Sequence, residues 1–193
     1  MKSEVQEFLR EHNACSNGAR FALRYNTMAE VWENCERGDW LWWMLCRRGP
    51  VTKKLSVEVT IVCAEHVLTL YETEYPTVDK PRKAIESGRA YLMRPCKRTR
   101  AAAAAAAAVA YAAAFAAADV AFAAAADAYA AAFAAADAAY AAADVAYAAA
   151  AADAPATALA AVYAAAAADA ADAAERKWQA DAIRELVGLN PFA

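Results

Sequence analysis

Between Arg100 and Arg176 the chain has no lysine or arginine, and from Ala101 to Ala154 it has neither glycine nor proline. The first absence leaves that stretch acidic, and the second removes the usual helix breakers. Histidine is scarce, with two residues, and no C-x-x-C pair occurs among the five cysteines Cys15, Cys35, Cys46, Cys63 and Cys96. An odd, scattered set of thiols argues for reduced cysteines in a cytoplasm and against a disulfide framework or a zinc site. The opening Met1-Lys2-Ser3-Glu4 lacks the basic and then apolar run of a signal peptide, so a cytoplasmic protein is expected. Nothing resembles a phosphate-binding glycine loop or a nucleophile elbow; no enzyme, no catalytic residue and no cofactor are expected.

Residues 101–118 carry no charge and follow Arg98 and Arg100, as a membrane span could. Alanine contributes little to insertion, however, and Asp119, Asp127, Asp137, Asp144 and Asp153 would each enter lipid at a cost of about 3 kcal/mol. No membrane is expected.

What is present is a chain of 193 residues, enough for one or two modules. Composition changes abruptly near residue 100, so a helical N-terminal region with a Trp cluster is expected over 1–100 and an alanine-rich helical region over 101–193. The first part carries 17 Lys+Arg against 13 Asp+Glu, and the second 3 against 10. The parts are expected to attract each other or to have different partners.

Local signals place the N-terminal helices. Ser3 precedes apolar residues at helical spacing, and Asn17-Gly18 predicts a turn. Thr27-Met-Ala-Glu30 is a capping-box pattern that starts a helix with Val31 and Trp32. Gly38 predicts a turn and Asp39 a cap for Trp40-Leu-Trp42-Trp43-Met-Leu-Cys46, closed by Arg47 and Arg48 before Gly49-Pro50. From Leu55 to Leu70 the pattern is mixed, but length without Gly or Pro predicts a helix, with Leu55, Val59, Val62, His66 and Leu70 as its stripe. Tyr75-Pro76 ends it, and Asp79-Lys80-Pro81 starts another that runs to about Leu92. About five short helices are thus expected before residue 100.

From Ala101 to Ala150 only fourteen residues are not alanine: seven aromatics, three valines and four aspartates. A continuous helix from Ala101 to Asp153 would be roughly 80 Å long. Tyr111, Phe115, Phe122, Tyr129, Phe133, Tyr140 and Tyr147 would form one line along it, within roughly 40° of each other. Val109, Val120 and Val145 fall opposite, with Asp119, Asp137 and Asp144 on a flank between. The tract reads as a rigid scaffold whose small methyl groups permit close helix approach while the rings supply buried area. After Pro155 a return helix is expected to run to Val187, its end docking on the core through Trp178, Ala182, Ile183, Leu186 and Val187.

Candidate chemistry is thin. Cys63, His66, Glu58 and Glu65 could be imagined around a metal, but two ligands do not make a site, and no metal is expected. Arg94-Pro-Cys-Lys97-Arg98-Thr-Arg100 is the one dense basic run; without an aromatic platform it reads as a solvated hinge or an internal partner for aspartates. The sparse acids of the tract do not imitate a nucleic-acid duplex, and no nucleic-acid partner is expected. Trp40, Trp42 and Trp43 cannot all face one way on a helix, so at least one is expected near the surface, where tryptophan dominates binding hot spots.

Taken in order, Trp32-Glu-Asn-Cys35-Glu-Arg-Gly38-Asp39-Trp40-Leu-Trp42-Trp43, Lys80-Pro81-Arg82-Lys83-Ala84-Ile85-Glu86, the alanine-rich tract, and Trp178-Gln-Ala-Asp181-Ala-Ile183-Arg184-Glu185 resemble the Imm-5-like immunity proteins of bacteria and phages. The resemblance implies a cytoplasmic protein without chemistry of its own that binds and blocks a toxin, or, in a phage, a host defence enzyme. This chain departs from that family in its nearly base-free tract. The expectation is an all-α fold in which a compact helical N-terminal region packs on a long alanine-rich helix and a C-terminal return helix. Protein partners would meet Asp119, Asp137 and Asp144 or Trp40 and Trp43; the alternative is a structural, self-associating protein, possible as a homodimer through its aromatic line.

Overall fold

The computed structural model describes residues 3–123, 137, 140–142, 144, 149 and 173–193. These residues are all-α: helices pack on helices, and the described part contains no strand. Eight helices have bounds among them: α1 Glu4–Glu11, α2 Ser16–Ala22, α3 Met28–Asn34, α4 Gly38–Arg48, α5 Lys53–Glu74, α6 Lys80–Met93, α7 Lys97–Ala123 and α8 Ala173–Val187. None of them is long and apolar enough, among the described residues, to cross a membrane. The chain divides into two units, Met1–Pro50 with Arg176–Ala193, and Val51–Glu175. The change of composition at residue 100 therefore falls inside α7 and not between units; packing, not residue type, sets the division.

In the first unit the helix starts follow their local chemistry. The Ser3 hydroxyl accepts from the Gln6 N–H at 3.2 Å, and the Thr27 hydroxyl accepts from the Glu30 N–H at the same distance. The Glu30 carboxylate in turn accepts from the backbone N–H groups of Asn26 and Thr27, completing the capping box. Two expectations are corrected. Asn17-Gly18 is not a turn but the first turn of α2, where the Cys15 thiol accepts from the Gly18 N–H. Asp39 is not a cap: the N-cap residue of α4 is Arg37, without a side-chain cap bond, and buried Asp39 receives the Arg37 guanidinium in two bonds of 3.0 and 2.7 Å.

The unit closes through its C-terminal segment. Arg184 on α8 donates to the carbonyls of Trp32 and Cys35, Asn190 donates to the Ala29 carbonyl at 3.2 Å, and Arg48 donates to the Pro191 carbonyl at 3.0 Å. Phe192 lies between Phe8 and Trp32. The expected docking of the chain end on the core is thus observed, with Gln179, Ala180 and Ile183 as the buried side of α8 and Trp178 half-buried. Val5, Met28, Val31, Trp32, Leu41 and Trp42 complete the core.

The second unit is built on α5, whose N-cap Thr52 accepts from the Leu55 N–H at 3.2 Å. α6 packs on both α5 and α7. The expected helix is present, but its buried face is rotated from the stripe read in the sequence. Val57, Val59, Thr60, Ile61, Cys63, Ala64, Val67, Leu68 and Tyr71 are buried, so Val59 of the stripe lies inside as expected, while His66 is exposed and Leu55, Val62 and Leu70 are intermediate. Buried Thr60 satisfies its hydroxyl on the Ser56 carbonyl one turn back, at 2.7 Å, so a polar residue sits in the interior without an unmade bond. Among the described side chains of α7 the buried ones are Ala103, Ala107, Ala110 and Ala114, a methyl-only stripe at spacings of 4, 3 and 4. It suits close helix approach, as do Ala84 and Gly88 on α6. The basic run is exposed along most of its length: Arg94, Pro95 and Cys96 link α6 to α7, and Lys97, Arg98 and Arg100 lie in the opening turn of α7.

The single straight helix over the alanine tract is also corrected. Tyr111 and Tyr140 have ring centroids 6.1 Å apart, whereas 29 residues along one helix would separate them by roughly 44 Å. The side chains of Phe115, Asp119 and Phe122, and Tyr129, Phe133 and Tyr147 altogether, lie outside the described residues. So does the expected return helix before Ala173.

Candidate functional site

The first unit carries an open cleft of about 480 Å³ lined by Phe21, Arg24, Tyr25, Asn34, Cys35, Glu36, Arg37 and Trp40. Its wall is made by short elements that end early. α2 stops at Ala22, and the turn that follows places Tyr25 beside Phe21, centroids 5.3 Å apart. Trp40, in the first turn of α4, tilts against Phe21 at 5.6 Å. Two guanidiniums are stacked on these rings: Arg24 lies 4.6 Å from the Phe21 centroid and 5.9 Å from that of Tyr25, and Arg37 lies 4.4 Å from that of Trp40. Such cation–π contacts hold the planar heads in place while leaving donor edges for other groups. Cys35 is a buried, inert part of the floor; burial pushes its thiol up to about 11.

Of the tryptophans singled out in the sequence, Trp40 stands in this cleft, half-buried. Trp43 is also half-buried but does not line it. It meets Phe8 edge-on at 6.0 Å, with Arg47 over its ring at 5.8 Å. Trp42 is fully buried, at 0 % exposure. Phe21, Arg24 and Tyr25 were not singled out. Their signal is an aromatic pair four apart with an arginine between them, just past a short helix, and reading Asn17-Gly18 as a turn hides it.

The acidic flank fares differently. Asp144 is 6 % exposed and its carboxylate accepts from the Tyr111 hydroxyl; burial pushes its pKa up to about 6, against the lowering effect of that bond. It faces the interior of its own unit, covered by its contact with Tyr111 of α7, which leaves little of it for a partner to reach. Asp137 is half-buried and its pKa is raised by burial.

A second cleft, of about 430 Å³, runs between α5 and α6. It is crossed by two bidentate pairs, Arg82 with Glu72 at 2.7 and 2.6 Å and Arg89 with Glu65 at 2.8 and 2.6 Å. Four of the five charges in its lining satisfy each other in these pairs, with Glu86 the fifth, so it reads as a clasp between helices. Glu65 is thereby taken, Cys63 is buried and His66 exposed. Among the described residues no three or more His, Cys, Asp or Glu side chains gather as a metal site.

Cys96 is the reactive thiol of the described surface. It is exposed, and hydrogen bonds with the Thr99 side chain, then with the Thr99 and Arg98 backbone, and the charge of Arg94 lower its pKa to about 7. At pH 7.5 iodoacetamide is expected to alkylate Cys96 well before Cys35, read by peptide mass spectrometry over time. Equal rates at both thiols would contradict this assignment.

These features define an all-α protein with an aromatic–arginine cleft on one unit. Compared with protein-family models, curated proteins and solved structures, the chain matches none.

Proposed function

We propose that the chain is a non-enzymatic cytoplasmic binding protein that blocks a bacterial toxin or a defence effector by occupying it, with the Trp40 cleft as its contact surface. The observation that carries this reading is the composition of the cleft: tryptophan, tyrosine and arginine are the residues enriched in binding hot spots, and here they are pre-stacked on the surface. Pre-stacking lowers the ordering cost of association. The toxin or defence class of the partner comes from the likeness of the Trp32–Trp43 and Trp178–Glu185 segments to Imm-5-like immunity proteins.

Self-association along the aromatic line is the weaker reading, since Tyr111 and Tyr140 already meet within one chain. Tagged protein and its Trp40→Ala variant, matched for helical circular dichroism, are to be used as baits in lysates of bacteria that encode toxin and defence systems. The expected result is a partner whose own activity the protein inhibits stoichiometrically, with inhibition at least about tenfold weaker for the variant. A captured protein whose activity is unaffected, or no partner at all, would sink the reading.

A further inference from the structure

Resting on the Trp40 cleft as the contact surface, we propose that its occupant is a partner-protein segment that sets one carboxylate on Arg24 and an adjoining apolar side chain against Phe21 and Trp40. The Arg24 head is held in place: its Nε donates to the Phe21 carbonyl at 3.3 Å, and its plane lies over Phe21. A guanidinium has five N–H donors, so most remain for a ligand. Among the described residues no carboxylate pairs with Arg24, and the sequence has no acid between Glu11 and Glu30 that could.

Arg37 differs. Its fork is filled by Asp39 at 3.0 and 2.7 Å, so it serves as a cover for the Trp40 face and not as an anion site. Glu36, exposed, also lines the cleft and opposes a second negative charge. One available guanidinium and one carboxylate in the same lining suit a single ligand carboxylate, whereas the several negative charges of a phosphate chain would be repelled by Glu36. The volume, about 480 Å³, accommodates a few side chains of an extended segment. A planar fork on a carboxylate gives a bidentate, charge-assisted contact that an amide cannot reproduce.

The test is a panel of short, capped, fluorescein-labelled peptides bearing one Glu or Asp beside Leu, Met or Phe, each with its Gln or Asn counterpart, read by fluorescence polarisation at low salt. Acidic members are expected to bind about tenfold more tightly than their amides; Arg24→Gln removes that difference, and Trp40→Ala weakens both sets. Equal binding of acids and amides, or a preference that survives Arg24→Gln, overturns the carboxylate assignment. So does an oligothymidylate that outcompetes the peptides in an Arg24-dependent way, which would assign the cleft to phosphate. If no peptide binds while a lysate partner is still lost with Trp40→Ala, the acidic segment falls and the inhibitor reading stands. Peptide binding untouched by Trp40→Ala overturns both.

Discussion

Gly38→Ala is expected to destabilise the first unit by about 1–3 kcal/mol, although alanine is ordinarily the better helix former by about 1 kcal/mol. Gly38 opens α4 at a point where its backbone lies against α8. A Cβ built there would stand 2.7 Å from Gln179 Cβ, 3.2 Å from the Gln179 carbonyl carbon and 3.3 Å from the Ala180 nitrogen. None of these atoms is the far end of a flexible side chain. Relief requires α4 and α8 to part, and with them the neighbouring core around Trp42, Ile183 and Gln179, all 1 % exposed or less. Gly49→Ala is the control, since nothing lies within 4 Å of the Cβ it would add. Urea unfolding should show a lower midpoint for Gly38→Ala with an unchanged slope, and a midpoint at or slightly above wild type for Gly49→Ala. A neutral or stabilising Gly38→Ala would show that the close approach is not what glycine serves here.

What the sequence made legible is what neighbouring residues decide. Ser3 and Thr27 cap as their spacing requires, and Pro81 stands in the opening turn of α6. Tyr75-Pro76 ends α5, and Arg47 and Arg48 close α4. Interactions over longer separations were not legible. Arg184 and Asn190 are bound to carbonyls of α3 about 150 residues earlier, and no local pattern announces such partners. The buried face of α5 shares only Val59 with the stripe in the sequence, because the helix is apolar on most sides and its periodicity does not choose a face. Asp39 was read as a cap because Asp after Gly is a good one, yet Arg37, two residues away, offers it a charged fork. Of the candidate site, Trp40 was anticipated on the ground that three tryptophans in four residues cannot all be buried. Arg24 and Phe21 were not, since their stacking depends on where α2 stops.

Asp144→Asn is expected to stabilise the second unit at neutral pH by roughly 3 kcal/mol and to flatten its stability between about pH 4 and pH 6. The aspartate pKa rises from its ordinary 3.8 to about 6 because burial penalises the charged form more than the Tyr111 hydroxyl compensates it. A carboxyl whose folded pKa lies above its unfolded one holds its proton longer in the folded state. Its contribution is therefore intact below about pH 4, is lost as pH rises toward 6, and is level above that. Asn has no charge to desolvate and still offers an oxygen to Tyr111, so it removes the slope and keeps the hydrogen bond. Asp144→Ala also removes the charge but takes away this acceptor of the half-buried Tyr111 hydroxyl, and should gain less. Asp137, raised in the same direction by burial, leaves a smaller slope of the same sign in the variant. Urea midpoints for the three proteins from pH 4 to pH 8 decide the matter. A wild-type unit whose stability climbs over that interval, or an Asn variant less stable than wild type at pH 7, would mean that Asp144 is charged and paired in the folded protein.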